Sequence, residues 1–143
     1  MVLSDTHKRI TAPLALLRRD RTITHILHLG DHADDAGELH KHCPGRLLFS
    51  VRGNCDMLCR APEELLLNLC GWRIFAAHGH RYGVKSGLSH IASHAKGLGC
   101  NLVLFGHTHR RTDETVCGVR CLNPSANGYI IITQESIVFS DYE

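Results

Sequence analysis

This chain has 143 residues, which is long enough for one domain with its own core, and we expect that domain over residues 1–143. Its net charge of +2 is too small to favour nucleic acid as a partner. A hydrophobic share of 43% and a charged share of 21% are ordinary for a globular protein. No apolar run approaches the ~18 residues that a membrane span needs, and the early polar residues Asp5, His7 and Lys8 exclude a secretory leader, so we expect a cytoplasmic protein without a membrane partner.

The predicted elements alternate between strand and helix for two-thirds of the chain. Short apolar runs bounded by Gly or Asn predict buried strands at 1–3, 26–29, 47–51, 72–77 and 102–105. Helices are predicted at 11–17, 33–42 and 86–96, and a loop at 57–64 precedes the apolar run 65–69. Beyond these, strands at 115–122, 129–133 and 136–139 form a meander. Together the elements predict an α/β fold in which two sheets pack together with helices outside.

A polar cluster follows each of the five buried strands. The clusters are Asp5-Thr6-His7, Gly30-Asp31, Gly53-Asn54-Cys55-Asp56, His78-Gly79-His80 and Gly106-His107-Thr108-His109. Open α/β sheets place their sites at the carboxyl ends of strands. In extended chain, two side chains two residues apart share a face, so His107 and His109 form a chelating pair. If the clusters were unrelated loops, two imidazoles at a buried strand end would have no partner, which is costly.

The donor types in these clusters predict a centre of two divalent metal ions. Carboxylate, imidazole and amide donors without thiolate suit Mn, Ni, Zn or Fe, with Mg as a further candidate and Mn preferred. Asp31 follows a glycine at a strand end and is the expected bridging ligand. We expect the first ion on Asp5, His7, Asp31 and His109, and the second on Asp31, Asn54, His78 and His107. Such a centre attracts a phosphoryl group and activates a hydroxide to attack it.

The remaining histidines and the cysteines are interpreted as residues without a functional role. Helix faces and strand edges account for six histidines: His25, His28, His40, His42, His90 and His94. The seven cysteines are scattered without a Cys-x-x-Cys pair and are interpreted as reduced thiols that pack as small hydrophobic residues. A structural zinc knuckle is the less favoured alternative.

In this order, the motifs Asp-x-His, Gly-Asp, Gly-Asn-Cys-Asp, His-Gly-His and Gly-His-Thr-His resemble the calcineurin-like metallophosphoesterase superfamily. Segments 53–56 and 78–85 resemble its small bacterial and archaeal phosphodiesterase branch, and the resemblance extends from Ser4 to Pro124. It implies a four-layer α/β/β/α sandwich of two mixed sheets and a binuclear centre on the same seven ligands. It also implies a small phosphoester substrate or phosphate as the ligand, and a homodimer or higher homo-oligomer.

One departure from the family pattern concerns the catalytic acid. Larger members carry a histidine after the motif asparagine, whereas this chain has Cys55 after Asn54. A thiol with a reference pKa of ~8.5 is a poor acid at neutral pH. We therefore name His80, with Asn54, as the candidate catalytic residues. The alternative for His80 is a hydrogen bond that only supports a ligand.

Two other functions stay open beside a phosphodiesterase. A phosphomonoesterase needs extra cationic groups, which Arg81 and Arg110 beside the ligand motifs would supply. A binding scaffold without catalysis is the other alternative, because a eukaryotic protein-sorting subunit resembles this fold with altered site residues. The presence of all seven predicted ligand types favours the enzyme.

Overall fold

A computed structural model describes residues 1–142 of the chain. In chain order the elements are β1 (Val2–Leu3), α1 (Thr11–Arg19), β2 (His25–His28), α2 (Asp34–His42), β3 (Leu47–Ser50), β4 (Glu64–Leu69), β5 (Trp72–Ala77), α3 (Ser89–Gly97), β6 (Leu102–Leu104), β7 (Thr112–Val116), β8 (Val119–Asn123), β9 (Gly128–Ile132) and β10 (Ile137–Asp141). A 3₁₀ turn over His80–Tyr82 follows β5. None of the helices in the described part is long and apolar enough to cross a membrane.

The strands form two mixed sheets of five strands each. The first sheet has the order β10-β9-β1-β2-β3, in which β1, β2 and β3 are parallel and β9 is antiparallel to both of its neighbours, β1 and β10. The second has the order β4-β5-β6-β8-β7, with β5, β6 and β8 parallel and antiparallel strands at both edges. In each sheet the three parallel strands therefore end at the same edge.

The apolar side chains of the strands divide between an inner and an outer face. In β5, Ile74 and Ala76 pack between the two sheets, whereas Phe75 and Ala77 pack on the outer side with α3. Because both faces of this strand are buried, its sequence is a nearly continuous apolar run rather than an alternating one. The same reason applies to the runs of β1, β2 and β6. The prediction of a buried strand at 47–51 is wrong, because β3 lies at the edge of its sheet and Leu47 is 59% exposed.

Helices cover the outer face of each sheet. Leu17 of α1 and Leu39 of α2 pack in one cluster with Ile26 of β2. On the other side of the molecule, Ile91 of α3 packs in a cluster with Val103 of β6. A third cluster fills the space between the sheets. The predicted four-layer α/β/β/α sandwich is confirmed.

The predicted strand over residues 115–122 is wrong, because the chain turns back within it. Strands β7 and β8 form an antiparallel hairpin joined at Cys117 and Gly118. Both turn residues have positive φ, +53° and +78°, as type I′ hairpin turns require. A Cys-Gly pair is not one of the usual sequence signals for this turn, so the pattern on both sides predicts one strand. Helix α3 also begins at Ser89, three residues after its predicted start at Ser86.

Candidate metal centre

The loops that carry the predicted ligands meet at the carboxyl edge of the two sheets. Within the first sheet, the backbone N–H of Asp5 donates to the carbonyl oxygen of Gly30 at 3.0 Å. Within the second, the N–H of Gly106 donates to the carbonyl oxygen of His78 at 3.0 Å. These backbone bonds continue the pairing of the parallel strands into the loops and so bring the ligand-bearing residues together.

Four of the predicted ligands form a compact group. One donor atom from each of Asp5, His7, Asp31 and His109 lies within 4.8 Å of all the others. These are the four residues that the sequence assigned to the first metal ion. The group combines two carboxylates with two imidazoles, a donor set that suits a first-row divalent cation.

Asp5 gives the strongest evidence that this group is built for a cation. Its Oδ2 accepts hydrogen bonds from the Ser4 hydroxyl at 2.5 Å and from the N–H of His107 at 3.2 Å. Its Oδ1 is buried and has no hydrogen-bond partner among residues 1–142. His109 Nε2 lies 3.1 Å from this oxygen, but the direction of approach is not that of a hydrogen bond. A buried carboxylate oxygen without a partner is costly, and a bound cation would remove that cost.

The other predicted ligands gather around His78. Its Nδ1 donates to the carbonyl oxygen of Leu29 at 2.7 Å, which directs Nε2 into the site. Nε2 lies 3.1 Å from Oδ1 of Asn54 and 3.5 Å from Oδ1 of Asp31. The ring of His107 is 5.1 Å from the ring of His78, measured between centroids. Asp31 thus contacts both groups, as a bridging ligand must.

The pKa shifts of Asp31 and His78 fit a pair of side chains that holds a proton, on His78, in the metal-free protein and releases it when a metal ion binds. Burial acts to raise the pKa of Asp31, but hydrogen bonds from His78 and from the N–H of Cys55 outweigh it and hold that pKa below its usual range. Burial acts to lower the pKa of His78, but the carboxylates of Asp31 and Asp5 raise it. Without a cation, a proton on Nε2 of His78 faces Oδ1 of Asn54 and Oδ1 of Asp31, whereas Oδ1 of Asp5 still has no hydrogen bond. Binding of a cation would displace that proton.

Strained backbone is concentrated at this site. Five of the seven predicted ligands have φ in the left-handed region: Asp5 (+53°), His7 (+45°), Asp31 (+54°), His107 (+67°) and His109 (+57°). Each such residue costs about 1–3 kcal/mol and persists only where the surroundings over-determine it. These conformations direct side chains from alternate loop positions, as in Asp5 and His7 or His107 and His109, toward the same region.

Two motif glycines allow the loops to approach this closely. A Cβ on Gly106 would overlap the hydroxyl of Ser4 and lie 2.8 Å from Oδ2 of Asp5. Gly30 has a φ of +94°, and a Cβ there would lie 2.6 Å from the backbone nitrogen of Gly53. The glycines in these motifs are therefore needed for contact between loops as well as for turning the chain.

The interpretation of His28 as a residue of a strand edge is wrong. Strand β2 lies between β1 and β3, and His28 is fully buried. Its Nδ1 accepts a hydrogen bond from the N–H of Gly30 at 3.1 Å, so Nε2 carries the proton and bonds the Thr6 hydroxyl at 2.9 Å. That hydroxyl donates to Oδ2 of Asp35 at 2.5 Å. Burial lowers the pKa of His28 to about 4, which keeps the ring neutral. Its position inside an apolar run was the available signal.

Two more polar side chains position the ligand loops, and the sequence predicts no role for either of them. Asp56 accepts from the N–H of Gly53 at 2.8 Å through Oδ2 and from that of Ala33 at 3.0 Å through Oδ1. Asn123 donates from Nδ2 to the carbonyl oxygen of Gly106 at 2.9 Å and to the hydroxyl of Thr108 at 3.0 Å. Asp56 joins the loop after β3 to the start of α2, and Asn123 holds the loop after β6.

The candidate acid His80 lies at the rim of the site. Its ring centroid is 5.5 Å from that of His78 and 6.1 Å from that of His107. Burial and the charge of His78 lower its pKa, and its Nδ1 has no partner among the described residues. The neighbouring Arg81 forms an ion pair with Glu63. Burial and then the Asp31 carboxylate raise the pKa of the Cys55 thiol, which therefore stays protonated at neutral pH.

The fold and the arrangement of the site define a metallophosphoesterase-type protein. Residues 1–141 match the calcineurin-like phosphoesterase superfamily domain, and the chain belongs to this family. A probable metallophosphoesterase of Bacillus subtilis, YsnB, is 28% identical over 147 residues, which cover 95% of this chain and 84% of the relative.

Solved structures with the same fold include proteins of different kinds. An archaeal phosphodiesterase matches with a TM-score of 0.71 at 16% identity, over 98% of this chain and 97% of its own. Vps29 from Entamoeba histolytica, in complex with Zn²⁺, matches with a TM-score of 0.74 at 18% identity, over 99% of this chain and 98% of its own. At these identities the likeness concerns the fold.

Proposed function

We propose that this protein hydrolyses phosphodiesters at a centre of two divalent metal ions. Asp5, His7, Asp31 and His109 would hold the first ion, and Asp31, Asn54, His78 and His107 the second. The observation that carries the proposal is the buried Oδ1 of Asp5, which lacks a hydrogen bond among the described residues and faces the compact group of donors. Metal ions bound there would polarise the phosphoryl oxygens and activate water near neutral pH.

The side chains of this centre have separable roles in the proposal. Asp31 would bridge the two ligand sets, since its carboxylate contributes to the first group and lies beside His78 of the second. The carbonyl oxygen of Leu29 holds the imidazole of His78 in the orientation that directs Nε2 inward. Asn54, with its Oδ1 3.1 Å from that nitrogen, would both bind metal and contact the substrate. The donor types favour Mn²⁺, with Ni²⁺, Zn²⁺, Fe²⁺ and Mg²⁺ as alternatives.

We assign His80 to the leaving-group side of the reaction. Its ring is half-buried at the rim, next to the imidazoles of His78 and His107. Its lowered pKa makes the imidazolium a stronger acid, so the protonated ring would transfer its proton to the leaving oxygen and become neutral. A His80→Gln variant should lose more activity on an ester with a poor leaving group than on a p-nitrophenyl ester.

The structure bears on both alternative functions. Arg81 is paired with Glu63, which removes one of the two cations that a phosphomonoesterase would use for the extra substrate charge. The likeness to Vps29 favours a scaffold as the second candidate, and that protein is itself described in complex with Zn²⁺. Metal binding alone therefore does not distinguish an enzyme from a scaffold, and only turnover does. The cytoplasmic location and the homo-oligomeric state stay predictions of the sequence.

The test is metal-dependent turnover of two substrates that share a leaving group. We expect bis(p-nitrophenyl) phosphate to be hydrolysed with added Mn²⁺ and p-nitrophenyl phosphate to be hydrolysed more slowly. His109→Ala should abolish the activity, whereas His90→Ala, on the exposed face of α3, should not. Faster hydrolysis of the monoester would replace the diesterase with a monoesterase. Absence of turnover with two ions bound per chain would favour the scaffold.

A further inference from the structure

A polar cleft lies beside the candidate metal centre and is separate from it. It begins at the loop that carries His107 and His109, where Thr108 forms part of its wall, and it has a volume of about 470 Å³. That volume is in the range of sites for small organic molecules. The apolar floor of the cleft is formed by the half-buried Leu88, beneath which Val84 and Phe105 are buried.

Two cations line this cleft without an acidic partner. Neither Lys85 nor Arg110 lies within 4.0 Å of a carboxylate oxygen among residues 1–142, and both are exposed, so their charges are available to a ligand. Lys85 lines the same cleft as Thr108, which lies between the proposed ligands His107 and His109, and Arg110 follows His109 directly. The end of the cleft next to the ligand loop is therefore positively charged.

Glu114 limits where an anion can lie. Thr112 and Glu114 are at alternate positions of β7, Arg110 lies two residues before this strand, and all three line the cleft. The cation comes directly after the ligand loop, and the carboxylate lies four residues further along. An anionic group would be attracted at the Arg110 end and repelled at the Glu114 end.

We propose that Lys85 and Arg110 bind a second anionic group of the substrate, carried on the alcohol part of the phosphodiester, while the apolar floor accepts the ring of that alcohol. The inference rests on the proposed function and narrows the substrate class to diesters with a ring-containing alcohol that bears a second phosphate. It requires no step beyond hydrolysis. The scissile phosphoryl group would occupy the metal centre, and the second phosphate would lie in the cleft.

The experiment compares two esters that differ only in the second phosphate. The substrates are the p-nitrophenyl ester of thymidine 5′-phosphate and the same ester with an added 3′-phosphate, and the readout is the ratio of their KM values. A charge-assisted hydrogen bond predicts a ratio of about tenfold in favour of the 3′-phosphorylated ester. The double variant Lys85→Met/Arg110→Met should bring the ratio to about one. Glu114→Gln should raise it, and Lys96→Gln, which removes a cation on α3 outside the cleft, should leave it unchanged.

A binding measurement separates failure of this inference from failure of the proposed function. Calorimetric titration of the metal-loaded protein with thymidine 3′,5′-bisphosphate and with thymidine 5′-phosphate tests the cleft without turnover. If bis(p-nitrophenyl) phosphate is not hydrolysed, the proposed function is wrong, but tighter binding of the bisphosphate that depends on Lys85 and Arg110 still supports the anion site. Equal affinity for the two nucleotides, or a preference retained in the double variant, would overturn it.

Discussion

The imidazole of His28 donates from Nε2 to the hydroxyl of Thr6 across 2.9 Å, next to the proposed metal ligands. Through this bond, β2 is linked to the loop after β1, in which Thr6 lies between Asp5 and His7. The other ring nitrogen of His28 accepts the N–H of Gly30, the residue before Asp31. One neutral ring thus connects the two loops that supply three of the proposed ligands. A stability contribution that depends on pH follows from this arrangement.

Protonation of His28 should make the metal-free protein sensitive to acid. The pKa of this ring is about 4 in the folded protein, against a reference value of 6.5 in the unfolded chain, so between these values the unfolded state binds more protons. The contribution is fully present above pH 6.5 and is lost as the pH falls through about 4. The loss should total about 3 kcal/mol in the free energy of unfolding, at about 1.4 kcal/mol per pKa unit.

Urea unfolding in the presence of a chelator, repeated at intervals from pH 8 to pH 4, would measure this loss. His28→Gln cannot be protonated in this range, so its stability should fall less steeply than that of the wild type, whatever its stability at pH 8. The exposed His90→Gln serves as the control and should follow the wild type. Parallel curves for His28→Gln and the wild type would show that His28 does not titrate as described.

Substitution of two glycines by alanine should have opposite effects. Gly106→Ala places a methyl group on the hydroxyl of Ser4 and close to Asp5, so we expect a destabilisation of about 3 kcal/mol or more together with weaker metal binding. Gly37 lies within α2 with open space around its Cα, and Gly37→Ala should stabilise the protein by about 0.5–1 kcal/mol. Thermal unfolding measures both changes. A stabilised or neutral Gly106→Ala would contradict the close approach of these loops.

Asp56→Asn should loosen the loop that carries Asn54. Both carboxylate oxygens of Asp56 accept backbone N–H groups, and an amide would present an NH₂ group to one of them. We expect a loss of about 1.5–3 kcal/mol, as for other buried hydrogen bonds to a charged group. Asp34→Asn, at an exposed position in the first turn of α2, is the matched control and should cost only a few tenths of a kcal/mol. Chemical denaturation distinguishes the two.

Removal of single ligands should separate the two proposed metal sites. His109→Ala belongs to the first ligand set and His107→Ala to the second, so each variant should retain one tightly bound ion where the wild type retains two. Asp31→Asn should weaken both sites, because it is the proposed bridge. Elemental analysis after dialysis against a metal-free buffer gives the stoichiometry. One ion in the wild type, or loss of both ions in each histidine variant, would refute two separable sites.

Local features of the sequence were sufficient for the layers of the fold and for the residues that meet at its edge. A strand buried on both faces must be apolar along its length, so the runs before Asp5 and His107 are recognisable without knowledge of their neighbours. Because parallel strands end at a common edge, the polar clusters after these runs had to converge. Donor types can be identified directly from the residues, and the structure places all seven proposed ligands in that region.

Tertiary structure alone decided the features that depend on which strands are neighbours. Whether His28 lies at an edge or in the interior depends on β1 and β3 pairing on either side of β2. The apolar run around His28 indicates burial but does not identify these neighbours. The same holds for Asp56, whose hydrogen-bond partner Ala33 is distant in sequence. It also holds for Oδ1 of Asp5, which accepts no hydrogen bond only because of how several loops pack around it. Residue chemistry and periodicity are local properties, whereas burial and hydrogen-bond partners are set by contacts between distant segments.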